Sequence, residues 1–175
     1  MTAIIGPTLP EPYYGRVEDI WEAVENEFGE NGISNPIPHF TLYGLDGVEI
    51  ESLEETVQEV ATSHDPFTVR TTGLGIFPGN HIYNPVAMSA ELSALHRDVV
   101  EAVGPLGEAP TSYYDPGNWF PHIGLALGAN DDRTGDIVDF LLDYDLVWEF
   151  TVDNIEVTHR PPDEPGYELV ATVDL

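Results

Sequence analysis

Two segments 83 residues apart carry the same local pattern: Pro38-His39-Phe40-Thr41-Leu42 and Pro121-His122-Ile123-Gly124-Leu125. Each places a histidine behind a proline at the head of an apolar run that reads as a buried strand. The correspondence extends past the motif. Phe67-Thr68-Val69 begins 28 residues after His39, and Phe150-Thr151-Val152 begins 28 residues after His122. A repeated histidine in a repeated frame calls for two similar half-structures that face each other, each contributing one imidazole.

The rest of the chain supplies such halves. Residues 2–9 read as a strand and residues 11–28 as a helix, with Val17, Ile20, Trp21, Val24 and Phe28 on one face. The first histidine strand spans 39–45. Ser52 is predicted to cap a second helix with Glu55 as its capping-box partner, and Leu53, Val57 and Val60 form the apolar stripe. Residues 67–77 and 81–88 read as two strands around the turn Pro78-Gly79-Asn80. Ser89 caps a third helix carrying Leu92, Leu95, Val99, Val100 and Val103. A long Pro/Gly/Tyr-rich stretch, 104–118, leads into the second histidine strand at 119–127; connections of that length are usually functional or disordered. A fourth helix over 131–142 and strands over 146–158 and 167–173 close the chain. Tight strand-to-strand turns favour antiparallel pairing, so the expected class is α+β, one domain over residues 1–175 in two similar lobes.

Composition removes several chemistries. The chain has no cysteine, which excludes disulfides, thiolate catalysis and cysteine-ligated zinc. It has no apolar run long enough to span a bilayer and no basic leader, so a soluble, cytoplasmic protein without membrane contact is expected, and a monomer. Thirty-two acidic residues face five arginines and no lysine, a net charge of −27. Self-repulsion on that scale destabilises a compact state in dilute buffer, and near molar salt a Debye length of roughly 3 Å removes most of the penalty. Such a composition, with 42% hydrophobic residues, resembles that of proteins from extreme halophiles rather than a disordered acidic chain. The global field opposes polyanions, so DNA is not an expected partner and any nucleic-acid substrate must be held locally. The carboxylates are spread evenly rather than clustered at ligand spacing, and no metal or other cofactor is expected.

Alternation along a strand puts His39, Thr41 and Tyr43 on one face, with successive side chains about 6.6–7 Å apart, and Phe40 and Leu42 on the other. In the second copy His122 and Gly124 share a face opposite Ile123 and Leu125. Both histidines therefore stand on the less apolar side of their strands. Imidazoles titrate near neutrality and can take or give a proton. Two of them across a cleft could activate a nucleophile and protonate a leaving oxygen at a phosphodiester, and a hydroxyl at position 41 could hydrogen-bond a phosphate oxygen.

Twin His-x-Thr/Ser motifs at this separation resemble those of the 2H phosphoesterase superfamily, in particular its 2′-5′ RNA ligase-like branch. Gly75-Ile76-Phe77-Pro78-Gly79, Glu91-Leu92-Ser93-Ala94-Leu95-His96, and the closing Val157-Thr158-His159-Arg160 with Gly166-Tyr167-Glu168-Leu169 resemble further family segments. The resemblance covers nearly the whole chain. It implies two pseudo-symmetric lobes, each an antiparallel sheet flanked by helices, around a central cleft. It implies catalytic roles for His39 and His122, phosphate contact by Thr41, and a substrate that is a 2′-5′ or cyclic phosphodiester of an RNA end or nucleotide. The fourth motif position departs from the pattern: Gly124 stands where Thr or Ser is expected, offering phosphate only a backbone N–H or space.

Hydrolysis is the expected direction, and ligation is the same machinery run backwards. Gly124 favours the alternative, a catalytically weak or inactive nucleotide- or RNA-binding module on the same fold; restoring a hydroxyl there is expected to raise activity if its loss weakened phosphate binding. Tyr43, Tyr114 and Arg160 are candidates for lining the substrate. Tyr113, Tyr114 and Trp119 could stack on a base, with loop packing slightly favoured. His64, His81 and His96 read as structural.

Overall fold

A computed structural model of the chain describes residues 2–29, 31–128, 131–161 and 166–175. Its elements repeat in order. The first half runs β1 (Thr2–Gly6), α1 (Tyr13–Phe28), β2 (Tyr43–Asp46), α2 (Ile50–Ala61) and β3 (Phe67–Arg70). After β4 (Gly75–Phe77), the second half repeats that order as β5 (His81–Pro85), α3 (Ala90–Val103), β6 (His122–Ala126), α4 (Thr134–Leu141) and β7 (Glu149–Val152). Strands β8 (Asn154–Arg160) and β9 (Glu168–Asp174) close the chain. In each half the first strand pairs with the histidine strand, β1 with β2 and β5 with β6, both antiparallel. The sheets grow outward as β2-β1-β8-β9 and β4-β5-β6. The architecture is the expected α+β arrangement of antiparallel sheets with four helices.

The tails of the repeat pair with each other. Strand β3 meets β7 antiparallel in the register Phe67↔Val152, Thr68↔Thr151 and Val69↔Phe150. Identical Phe-Thr-Val triplets opposed across an antiparallel ladder, with threonine facing threonine at the centre, are what a local twofold axis produces. Alternation buries Phe67, Val69, Phe150 and Val152 and leaves both threonines exposed. The halves also interlock, because α1 rests against β6 and α3 against β2. One continuous core results, running through Ile5, Val17, Ile20, Phe40, Leu95 and Leu125.

Several boundaries differ from the sequence reading, each for a local reason. The first histidine strand is regular only from Tyr43; His39 forms an isolated bridge to Thr8 instead. Its partner segment contains Pro7, which has no N–H to donate, and Gly6 lets the Phe40 carbonyl approach so closely that a Cβ there would stand 2.1 Å from it. Helix α2 begins at Ile50 rather than at Ser52. Its cap is Glu49, whose carboxylate accepts from the Glu51 and Ser52 amides and from the Ser52 hydroxyl. The run 67–77 divides into β3 and β4 in different sheets, turning at Gly73 with φ 108° while Thr71 donates its hydroxyl to the Leu146 carbonyl. The run 146–158 likewise divides between two sheets, into β7 and β8. Ser89 caps α3 as expected, accepting from the Leu92 amide at 3.0 Å.

No helix among the described residues is long and apolar enough to cross a membrane. The acids of α1 and α2 (Glu18, Glu22, Glu25, Glu51, Glu54, Glu55 and Glu59) are exposed. Glu156 on β8 is the exception. It is 8% exposed, one oxygen receives only a 3.4 Å contact from the Thr172 hydroxyl, and the other is buried without a partner among the described residues. Burial raises its pKa above the usual carboxylate value, against a smaller opposing effect of Thr172. The folded state thus holds this proton over a pH range where the unfolded chain has released it, so the group's contribution is lost as pH rises from the unfolded pKa through the folded one. Glu156→Gln should remove that loss. At pH 7.5 its thermal melt should lie a few degrees above wild type, and the two melts should converge near pH 4.

Candidate active site

The two histidines are wired identically. His39 Nδ1 lies 2.5 Å from the carbonyl of Ile37, and His122 Nδ1 lies 2.8 Å from that of Phe120, in each case the residue two positions before. A carbonyl only accepts, so each ring carries its proton on Nδ1 and keeps the Nε2 lone pair as an acceptor. The positions two residues after are matched as well. Trp119 Nε1 donates to the Thr41 carbonyl and Trp21 Nε1 to the Gly124 carbonyl, both at 2.9 Å. One backbone carbonyl and one indole therefore fix each motif before and behind the ring. Phe40, Leu42, Ile123 and Leu125 are fully buried, while His39, Thr41, His122 and Gly124 remain partly accessible, as the alternation predicts.

The rings share an electrostatic environment. Desolvation lowers the pKa of His39; its bond to Ile37 opposes the shift, and the charge of His122 adds to it. Desolvation also lowers His122, with Phe120 opposing and His81 adding. Phe77 and Tyr83 stack at 4.0 Å and present their edges or faces to His122 at 4.9 and 5.2 Å, which accounts for its apolar surroundings. Both imidazoles are thus held neutral to a lower pH than a free histidine.

Thr41 Oγ1 lies 3.3 Å from His39 Nε2, and with the proton on Nδ1 the hydroxyl is the donor. The Tyr114 hydroxyl lies beside the Thr41 side chain, and the Tyr114 ring lies edge-on to Tyr43 at 6.3 Å. Tyr114 therefore joins this cluster. Tyr43 itself is buried, 6% exposed, and packs toward Gly104. Arg160 is exposed, stands 5.7 Å from the Tyr167 ring centroid, and has no carboxylate within ion-pair reach among the described residues. Trp119 is buried against His96 rather than open to a base, whereas Tyr113 is 75% exposed. Trp21, read from sequence as one more apolar residue of a helical face, is the counterpart of Trp119; an indole N–H that must find an acceptor when buried was the available signal.

Gly124 does not open onto empty space. A Cβ there would meet Leu127 at 3.4 Å and Ile33 at 3.5 Å. Beyond Ile33, an opening of about 600 Å3 between α1 and residues 31–36 is lined by Glu18, Glu22 and Glu25, carboxylates that repel phosphate. Among the described residues no three His, Asp or Glu side chains gather closely enough to hold a metal ion.

Comparison with known proteins agrees with this geometry. The family model described as the 2′-5′ RNA ligase superfamily matches residues 9–164, and the chain belongs to that superfamily. No curated protein matches the sequence. Among solved structures, TT0787 of Thermus thermophilus is similar with a TM-score of 0.71 at 19% identity, covering 100% of this chain and 98% of that one. E. coli LigT complexed with 3′-AMP gives 0.65 at 15% identity, covering 99% and 97%. A protein described as a phosphoesterase gives 0.63 at 13%, covering 99% and 98%. At these identities the structural likeness establishes the shared fold.

The packing at Gly124 has a measurable consequence. Gly124→Ala puts its Cβ at ordinary contact distance and should leave the melting temperature within about 2 °C of wild type. Gly124→Thr drives a further branch against Ile33 or Leu127 and should lower it by roughly 3–6 °C without tightening inorganic phosphate in a calorimetric titration. Adding Ile33→Ala should recover that stability and strengthen phosphate binding.

Proposed function

We propose that this member of the 2′-5′ RNA ligase superfamily is a metal-independent phosphoesterase that hydrolyses a 2′-5′ or cyclic phosphodiester at an RNA end or nucleotide, with His39 and His122 as its acid–base pair. The observation that carries the reading is the matched wiring of the two rings. A carbonyl on each Nδ1–H fixes tautomer and orientation, so that each Nε2 is the atom available for proton transfer. One ring takes a proton from water as its oxygen attacks phosphorus; the other gives a proton to the departing ribose oxygen. The bond formed is P–O from water, the bond broken is P–O to ribose, and the net proton count is unchanged. A substrate phosphate brings negative charge beside the rings, which favours protonation of one of them despite the desolvation that holds both neutral.

Thr41 supplies a neutral hydroxyl for a non-bridging oxygen, and the exposed Arg160 a cation. Gly124 contributes only its backbone. E. coli LigT, which shares this fold, has been solved with 3′-AMP, ATP, NADP+ and phosphate, which supports a nucleotide phosphate as the ligand class. The extreme negative charge supports a small substrate over two long RNA ends and hence hydrolysis over ligation. The apolar cover of Gly124 favours a second reading, a nucleotide-binding module without turnover.

Turnover of 2′,3′-cyclic nucleotides and of 2′-5′-linked dinucleotides in molar KCl with EDTA separates the two. Wild type should be active and insensitive to the chelator, and His39→Ala and His122→Ala should each lose at least about 10³-fold in kcat with melting curves retained. Rates in either variant equal to wild type would sink the acid–base assignment. Absence of wild-type turnover together with tight nucleotide binding would leave the binding module.

The pH dependence follows from the lowered histidines. A base must be neutral and an acid protonated, so kcat/KM should trace a bell. Because burial depresses both free-enzyme pKa values, both limbs should fall below the ordinary imidazole value of about 6.5, with the maximum on its acid side. A stopped assay from about pH 4 to 8 at fixed ionic strength reads this directly, and a maximum above about pH 7 contradicts it.

A further inference from the structure

Thr41 is held from several sides, and one buried residue stands behind every support. The Tyr114 hydroxyl lies beside the Thr41 side chain, the Trp119 indole donates to the Thr41 carbonyl, and Leu42 continues the chain into the core. His96 on α3, 3% exposed, meets all three. Its Nε2 donates to the Tyr114 carbonyl at 2.9 Å, its ring lies near the Leu42 carbonyl, and it stacks flat on Trp119 at 3.8 Å with 2° between the planes. Few side chains combine these properties. A flat aromatic ring with one N–H can stack on an indole and at the same time donate to a carbonyl of a neighbouring segment.

We propose that His96 is a positioning residue for the site: it clamps Leu42, Tyr114 and Trp119 together and through them holds the Thr41 hydroxyl against His39 Nε2. This rests on the functional reading above for its catalytic meaning, but its physical content stands on the cluster itself. The cluster ties the loop before the second motif to the first motif. The chain crosses from one half to the other here, since Tyr114 and Trp119 precede His122 while Thr41 and Leu42 follow His39. Loss of the clamp should therefore loosen Thr41 without touching either catalytic ring directly.

The test reads His39 rather than the stability of the protein. Imidazole carbon–proton resonances of wild type, His96→Phe, Thr41→Ala and the double variant are titrated from about pH 4 to 8 in molar KCl. Phenylalanine keeps the stack on Trp119 and removes the hydrogen bond to the Tyr114 carbonyl. With Nδ1–H bonded to Ile37, the Thr41 hydroxyl donates to Nε2 and favours the neutral ring. Releasing it should raise the His39 midpoint by about half a pH unit, the size of one neutral hydrogen bond. Thr41→Ala should give a shift of the same sign, and His96→Phe should add nothing further in that background. His96→Gln, which retains one donor, should fall between wild type and His96→Phe and serves as the test if the phenylalanine variant does not fold. An unchanged His39 midpoint in the variants at position 96 overturns the proposal, as does a full additional shift in the Thr41→Ala background.

In the turnover assay, His96→Phe should cost about tenfold in kcat/KM in the wild-type background and nothing in the Thr41→Ala background. The resonance titration does not depend on turnover. An inactive wild type with the expected His39 shift would therefore sink the phosphoesterase reading and leave the clamp, whereas an active wild type with no shift would sink the clamp alone.

Discussion

The pairing of β3 with β7 is the constraint on which the rest of the molecule depends. A strand that opposes its own repeat, threonine to threonine, carries a local twofold axis through the middle of the chain. Once that register is set, the elements that precede each tail are placed symmetrically: each half presents its histidine strand beside its own first strand, and each sends its first helix onto the other half's histidine strand. A one-residue slip would turn the buried pair of the slipping strand, Phe67 and Val69 or Phe150 and Val152, outward, so the register is strongly specified by burial alone. The symmetry is functional in consequence. It gives two imidazoles the same backbone acceptor, the same tautomer and the same indole support two residues on.

Where the symmetry fails, it fails on one side of the site. Thr41 and Gly124 occupy equivalent positions, each with its carbonyl held by a tryptophan, yet one carries a hydroxyl bonded to His39 Nε2 beside Tyr114 and the other faces Ile33 and Leu127. The elaborate support lies on the side that keeps the hydroxyl. On the proposed reading a phosphate held by one such donor instead of two gains less from binding and tolerates less looseness in the donor that remains, since misplacement by an ångström is costly in positioned chemistry.

The sequence made the duplication, the face of each histidine and the four helices legible because these depend on periodicity and on residues repeated at fixed offsets. It did not reveal where the strands stop. Residues 67–77 and 146–158 each read as one apolar run, and only the left-handed turn at Gly73 and the junction at Asp153 divide them between sheets. The α2 cap was misplaced because a Ser-x-x-Glu pattern is common, whereas a glutamate reaching two amides ahead depends on the turn that precedes it. Single aromatic residues were the least legible. Trp119 and His96 each look like packing in one dimension, and their partnership appears only when α3 and the loop before β6 are brought together. Tyr43 and Tyr114 likewise look alike in sequence, and only the fold buries the first and sets the second beside Thr41.

The net charge of −27 sharpens the same point. A field of that sign slows the approach of an anionic substrate and weakens its hold at long range, and salt screens it within a few ångströms. What survives screening is short-ranged and directional: a hydroxyl, a backbone N–H, an arginine without a carboxylate partner among the described residues, and imidazoles kept neutral by their surroundings. Recognition by such groups depends on their being fixed before the ligand arrives, because a hydrogen bond confers little once the cost of ordering its donor is subtracted. On the proposed reading, a chain with so acidic a surface relies on the rigidity of a few neutral donors, and the packing of Tyr114, Trp119 and His96 around Thr41 is the arrangement that would give it.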